Sequence, residues 1–240
     1  MIAATLNNAS WNVVFLESAE YAKNMRYENP LQEHETNGNK EHQKAFFLNS
    51  DENSIENSKV KNICDMLKIH CFFDDELIKI IEIILSEIFD NFYAHANTKT
   101  PPICCVQNWL TSKYIEIALA DIGIGIRNSL KNTYDLENIN ACELACGNGI
   151  SSKIDENHSG YGLFFTKRFI QENNGTMSLN SQGDFYIVSS KAEYASKAKR
   201  SLLGTCISLV INKEVSVNCE DFFQKITKEQ CGEEICDEYF

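Results

Sequence analysis

Basic residues are scarce in this sequence. Of its 240 residues, 22 are Lys or Arg against 34 Asp or Glu, a formal net charge of −12, and no basic run occurs. Affinity for nucleic acid comes mainly from Lys and Arg neutralising phosphates, so direct nucleic-acid binding is not expected. Long apolar runs are missing too. The greasiest stretch, Leu77–Phe92, is interrupted by Lys79, Glu82, Glu87 and Asp90, whereas a membrane span needs about 20 mostly apolar residues. Met1–Ser10 lacks a basic segment leading into an apolar one, so no secretory signal is expected. The 10 cysteines include no CxxC pair with a second pair at metal spacing. Cys104 and Cys105 are adjacent, Cys142 and Cys146 lie a helical turn apart, and Cys231 and Cys236 fall in an acidic tail. That scatter fits free thiols better than a disulfide framework or a zinc site. These absences together lead us to expect a cytoplasmic protein with no membrane segment.

Hydrophobic residues make up 43% of the chain, enough for a sizeable core. Ala3–Met25 is read as a helix with apolar residues at mixed spacing, and Glu28–Lys44 as a polar linker. Ser54–His70 carries Ile55, Val60, Ile63, Leu67 and Ile69 at helical spacing. Asp74 and Asp75 supply N-cap chemistry for a long helix whose apolar positions are Leu77, Ile80, Ile81, Ile84, Leu85, Ile88 and Phe92. Ile103–Leu110 and Tyr114–Ile122 read as strands, the second with period-two alternation. A long polar segment, Ile126–Ser159, contains one short helix near Asn140–Cys146. Tyr161–Asn173 reads as a helix closed at Asn174-Gly175. Thr176–Ser181, Phe185–Ser190 and Thr205–Ile211 read as three further strands, and Glu214–Phe240 as a peripheral helix and tail. Helices, two strands, a helix, then three strands predict an α+β two-layer sandwich. Its sheet is expected to be mixed but mostly antiparallel, with helices on one face.

Four short patterns carry chemistry. Glu87 and Asn91, four apart on the long helix, project from one helical face. A carboxylate there can take a proton from water, and an amide oxygen one turn on can ligate a hard cation such as Mg²⁺. Asp121-Ile122-Gly123-Ile124-Gly125 ends a strand. Its acid can accept a hydrogen bond from an exocyclic amino group, and its glycines let the backbone turn tightly against a flat ligand. Ser159-Gly160-Tyr161-Gly162-Leu163 opens a helix, where free N–H groups and the positive end of the dipole suit a phosphate. It is neither a Walker P-loop nor a Rossmann fingerprint. Gly204-Thr205 enters the last strand, where a hydroxyl could reach a base through water.

Singly, each pattern is weak. In this order they resemble the N, G1, G2 and GT boxes of the GHKL superfamily, the ATP-binding domain of Bergerat type found in gyrase, heat-shock chaperones, histidine kinases and mismatch-repair ATPases. "EIFDNFYAHA", "ADIGIGI" and "GYGLFFTKRFIQENNGTMSL" are the segments that look alike, and the resemblance spans about Leu77–Ile211. It implies ATP and Mg²⁺ as cofactors, with Asn91 holding the metal. It implies that Glu87 orients and deprotonates the attacking water. Asp121, helped by Thr205, would read adenine, Gly123 and Gly125 would shape the base pocket, and Gly160, Tyr161, Gly162 and Leu163 would meet the phosphates. Two positions depart from the pattern. Phe92 stands where the family usually has a small residue, and Ala94 where histidine kinases often have a phosphate-contacting Lys. His95 is the nearby group that could replace that charge.

The resemblance divides the chain at 1–66 (unassigned), 67–212 (ATPase domain) and 213–240 (acidic tail). No helical hairpin with a phosphoacceptor His precedes Asn91, and only Asn212–Phe240 follows the last strand, too short for a transducer domain. The expectation is an ATPase module whose lid, Ile126–Ser159, switches a protein partner, with a homodimer as a further possibility. The alternatives are a small serine or histidine protein kinase and a nucleotide-binding scaffold with negligible turnover.

Overall fold

The structure, a computed structural model, describes residues 3–7, 10–14, 42–47, 53–108, 111–152, 160–198 and 201–231. In chain order its elements are β1 (Ala3–Asn7), β2 (Ser10–Val14), β3 (His42–Phe47), α1 (Asn53–Cys71), α2 (Asp75–His95), β4 (Ile103–Asn108), β5 (Tyr114–Ala120), α3 (Gly125–Leu130), α4 (Ala141–Ala145), α5 (Gly162–Glu172), β6 (Thr176–Ser181), β7 (Asp184–Ser189), β8 (Glu193–Lys197), β9 (Thr205–Asn212) and α6 (Cys219–Cys231).

The long helix α2 forms where the spacing places it. The Asp74 carboxylate accepts the Leu77 N–H at 2.7 Å and caps the helix, with Asp75 and Glu76 in the first turn. Leu77, Ile80, Ile81, Ile84, Leu85, Ile88, Phe89 and Phe92 form its buried face, each contributing roughly 1.5–3 kcal/mol over an exposed position. α2 packs against α1, α5 and α6. Strands β3-β4-β5-β9-β6-β7-β8 form one open sheet. Every described pairing in it is antiparallel, so the expected parallel component does not occur among these strands. Buried and half-buried residues alternate along β5. The inward set, with Ile115, Ile117, Leu119, Ile207 and Leu209, shares one core with the helices. This is an α+β architecture.

Several expectations need correction. Ala3–Asn7 and Ser10–Val14 are paired antiparallel strands, not part of a helix. Thr5, Trp11, Val13 and Val14 are strand-favouring residues, and their mixed spacing gives a helix no continuous apolar stripe. β3 enters the residues read as linker, and β8 and α3 were not anticipated. A boundary at 66/67 cuts through α1, whose Val60, Ile63 and Cys64 lie in the same core as Leu67. A boundary at 213 likewise severs α6, whose Phe222 and Ile226 are buried there. Residues 232–240 of the acidic tail lie outside the described residues.

Helix α5 is tied down along its length. At its C-terminal end the buried Asn173 donates to the Asn212 and Val215 carbonyls at 3.0 and 2.7 Å, and accepts the Asn212 N–H at 2.7 Å. Asn174, at φ 55°, supplies the left-handed residue that ends the helix. Lys167 and Gln171 hold Glu193 of β8, and Arg168 holds Glu229 of α6.

Candidate functional site

Antiparallel pairing gathers the chemical residues at one end of the sheet. The register sets Ala120 opposite Cys206, so Asp121 follows β5 where Thr205 opens β9, and the Asp121 N–H donates to the Thr205 carbonyl at 2.9 Å. Ser181, the last residue of β6, pairs with Thr205. Its hydroxyl donates to the Gly204 carbonyl at 2.7 Å and accepts the Ile126 N–H at 2.9 Å. Gly204 adopts φ 74°, and a side chain there would overlap the Asp121 carbonyl oxygen. That position therefore requires glycine.

Asp121 is 3% exposed. Burial pushes its carboxyl up to about 6, against the opposing pull of the Gly123 and Thr205 backbone amides. The Gly123 N–H reaches Oδ1 at 2.5 Å. Gly123 also lies against the Ala96 carbonyl, leaving no room for a Cβ, and that carbonyl accepts the Ile124 N–H at 2.8 Å. The C-terminal end of α2 is thereby docked on the Asp121–Gly125 loop.

Between α2, the sheet end, α3 and the start of α5 lies a cavity of about 220 Å³. Of the residues singled out from sequence, Glu87, Asn91, Asp121, Gly125, Gly160, Gly162, Leu163 and Thr205 all line it, although they span 119 positions (87 to 205) of the chain. Gly123 and Tyr161 do not. Gly123 stands behind the wall as described, and the Tyr161 ring stacks on Phe165 with centroids 5.7 Å apart.

Gly162 brings α5 up to α2. A Cβ on it would sit 2.7 Å from Glu87 Oε2 and 3.3 Å from Asn91 Nδ2, so the carboxylate and the amide face the first turn of that helix. The N-cap residue Tyr161 makes no side-chain capping bond, so the positive end of the α5 dipole is turned toward Glu87 and the cavity. His95, named from sequence only as a stand-in for a missing charge, lines the cavity, as do Asp90, Ser129 and Ser152, which were assigned no role from sequence. The helical stripe Glu87–Asn91–His95 was the available signal for His95; the serines gave none.

The first part of the long polar segment is built around another acid, Asp184, whose side chain is wholly inaccessible. Arg127 donates to its Oδ2 from Nε at 2.9 Å and from Nη2 at 2.7 Å, and spans to the Leu136 and Ile139 carbonyls. The Ala141 N–H reaches the same oxygen at 3.1 Å, and Lys197 bonds Oδ1. Burial pushes Asp184 up, but the bonds from Lys197, Arg127 and Ala141 outweigh it and hold the carboxyl below the usual range. Leu130, Leu136 and Ala145 form a small satellite core beside it. The apolar patch at Ala141 and Ala145 is thus buried and pinned, while Ile139 stays 40% exposed.

No protein-family model matches the chain, and no curated protein is similar to it. What the site can do therefore rests on its own geometry. Among the described residues no helix is long and apolar enough to cross a membrane, and the eight cysteines from Cys64 to Cys219 are free thiols.

Proposed function

We propose that this chain is a Mg²⁺-dependent adenine-nucleotide-binding protein of the Bergerat type, working as an ATPase module whose lid switches a protein partner. One observation carries the reading: four short motifs, scattered from Glu87 to Thr205, line a single cavity in roles their chemistry suits. Asp121, a buried acceptor with two backbone donors and an elevated pKa, offers a lone pair to adenine's amino group, and Thr205 lies beside it. The first turn of α5, at the positive end of its dipole, faces Glu87 and Asn91 and suits phosphates.

The donor set fits a hard cation. The Glu87 carboxylate and the Asn91 amide both line this space; the amide group would turn its oxygen to the metal, and Mg²⁺ is commonly held by one or two protein oxygens with phosphates and water completing the shell. The bound metal would neutralise phosphate charge. Glu87, beside the entry to α5, would orient a water and take its proton. Phosphoryl transfer asks mainly for positioning and charge neutralisation, which these parts supply. The cavity is smaller than the roughly 300–1,000 Å³ of typical ligand sites. Ile150–Ser152 and Gly160 border the cavity, and a displacement of that wall by a bound nucleotide is what a partner would sense.

Asp121→Asn tests the reading. An Asn can present a donor to the adenine donor, a mismatch of roughly 1–3 kcal/mol. Calorimetry should show ATP affinity falling about tenfold or more; unchanged affinity would remove Asp121 from the site.

A further inference from the structure

The cavity contains a polar cluster to which the function proposed above gives no role. Ser152 Oγ lies 3.2 Å from His95 Nδ1, Ser129 Oγ lies 3.5 Å from the same nitrogen, and the two hydroxyls are 2.9 Å apart. Three elements supply these groups: α2, α3 and the segment after α4. All three residues line the cavity.

Their position is set by α2. Glu87, Asn91 and His95 follow one another at four-residue steps, roughly 6 Å apiece along the axis. Glu87 and Asn91 meet the first turn of α5. His95 lies one turn further, next to Ala96, whose carbonyl is bonded to the loop after Asp121. The cluster therefore borders the stretch between the phosphate end and the base end, where a nucleotide carries its sugar.

Its chemistry points the same way. Hydroxyls and an imidazole both donate and accept, as the hydroxyls of a sugar do. The described residues lining the cavity include no Lys or Arg but three carboxylates, Glu87, Asp90 and Asp121, and His95 is their one basic side chain. We propose that His95, Ser129 and Ser152 recognise the ribose hydroxyls, so that the site selects ribonucleotides over deoxyribonucleotides. The assignment rests on the nucleotide reading above. In the free protein the three groups bond one another; a sugar diol exchanges those bonds for its own, at little net cost.

The test is calorimetric titration of the full-length chain with ADP, 2′-deoxy-ADP and 3′-deoxy-ADP in the presence of Mg²⁺. Wild type should prefer ADP over at least one deoxy form by about tenfold, the scale of one or two hydrogen bonds. Ser152→Ala and His95→Phe should bring that ratio close to one while leaving the affinity for the disfavoured deoxy form within about twofold. A change in ratio, unlike a loss of affinity, is not produced by a damaged fold. Equal binding of the three ligands by wild type overturns the proposal, as does a parallel loss of all three in both variants. If wild type binds none of them, the nucleotide reading itself fails and the ribose assignment falls with it.

Discussion

Two buried aspartates sit at the same end of the sheet under opposite electrostatic regimes. Asp184, opening β7, is met by a guanidinium, an ammonium and a backbone N–H, and its carboxyl is held low. Asp121, closing β5, has only backbone amides, and burial drives it up to about 6. The first is a structural joint whose charge is compensated within the chain. The second has its charge opposed by backbone amides alone, and a buried carboxyl pushed up in this way is a feature common at functional sites. Residue type and burial are common to both; the partners separate scaffold from site.

Breaking the joint should have the largest effect. Asp184→Ala leaves Arg127 facing an empty acceptor position, and removing one partner of a buried pair costs roughly 3–5 kcal/mol. Urea denaturation at pH 7 should show that loss. Because the folded-state pKa of Asp184 is depressed, its contribution is present at neutral pH and is lost as the pH falls through its folded value, below the ordinary 3.8.

On the site side, Glu87→Ala should lower ATP turnover by roughly 10²-fold, the scale of a general base, while nucleotide affinity changes little. Asn91→Ala should instead weaken Mg²⁺-dependent binding. Steady-state phosphate release beside calorimetry separates the two, and normal turnover in both variants would end the ATPase assignment.

Asp121→Asn should stabilise the ligand-free protein even as it weakens ATP binding. The Asp121 pKa is raised in the folded state, so between about pH 4 and pH 6 the folded chain binds more protons than the unfolded one. Stability then declines as pH rises through that window. Asn carries no such cost, and at pH 7.5 the variant should gain roughly 1–3 kcal/mol over wild type, the order of a two-unit shift. The gain should vanish at pH 4. A variant no more stable at either pH would contradict the account of Asp121 as a carboxyl pushed up by burial.

The smallest expected effect lies in the segment joining the two regions. Amide exchange across residues 136–152 should slow severalfold with a non-hydrolysable ATP analogue, chiefly in residues 147–152, since the Asp184 joint already protects residues 136–146. Equal protection with and without the analogue would argue against a nucleotide-gated lid.

Much of this arrangement was legible in the sequence. The Asp74 cap and the apolar stripe of α2 determine that helix locally, and period-two alternation determines β5; both signals are short-range. The Glu87–Asn91 pair and the glycine motifs were legible as chemistry because their spacing is local as well. What the sequence withheld depends on distant contacts. Ser181 acquires its role only because β6 ends beside β9, and Asp184 only because Arg127, 57 positions away, folds back onto it. β8 is charged and short, and its place at the sheet edge comes from pairing with β7 rather than from its own pattern. Gly204 looked like an ordinary strand entry until the Asp121 carbonyl was seen to fill the space of its missing Cβ.

Helix α5 can also be considered as a mechanical part. Asn173 ties one end to Asn212, the last residue of β9, and to Val215 beyond it, and the links to Glu193 and Glu229 brace the middle. The other end, at Gly162, lies against Glu87 and Asn91 and borders the cavity. α5 is therefore a strut about 16 Å long for its 11 residues, held at both ends. Held in that way, it couples the cavity wall to the far end of β9.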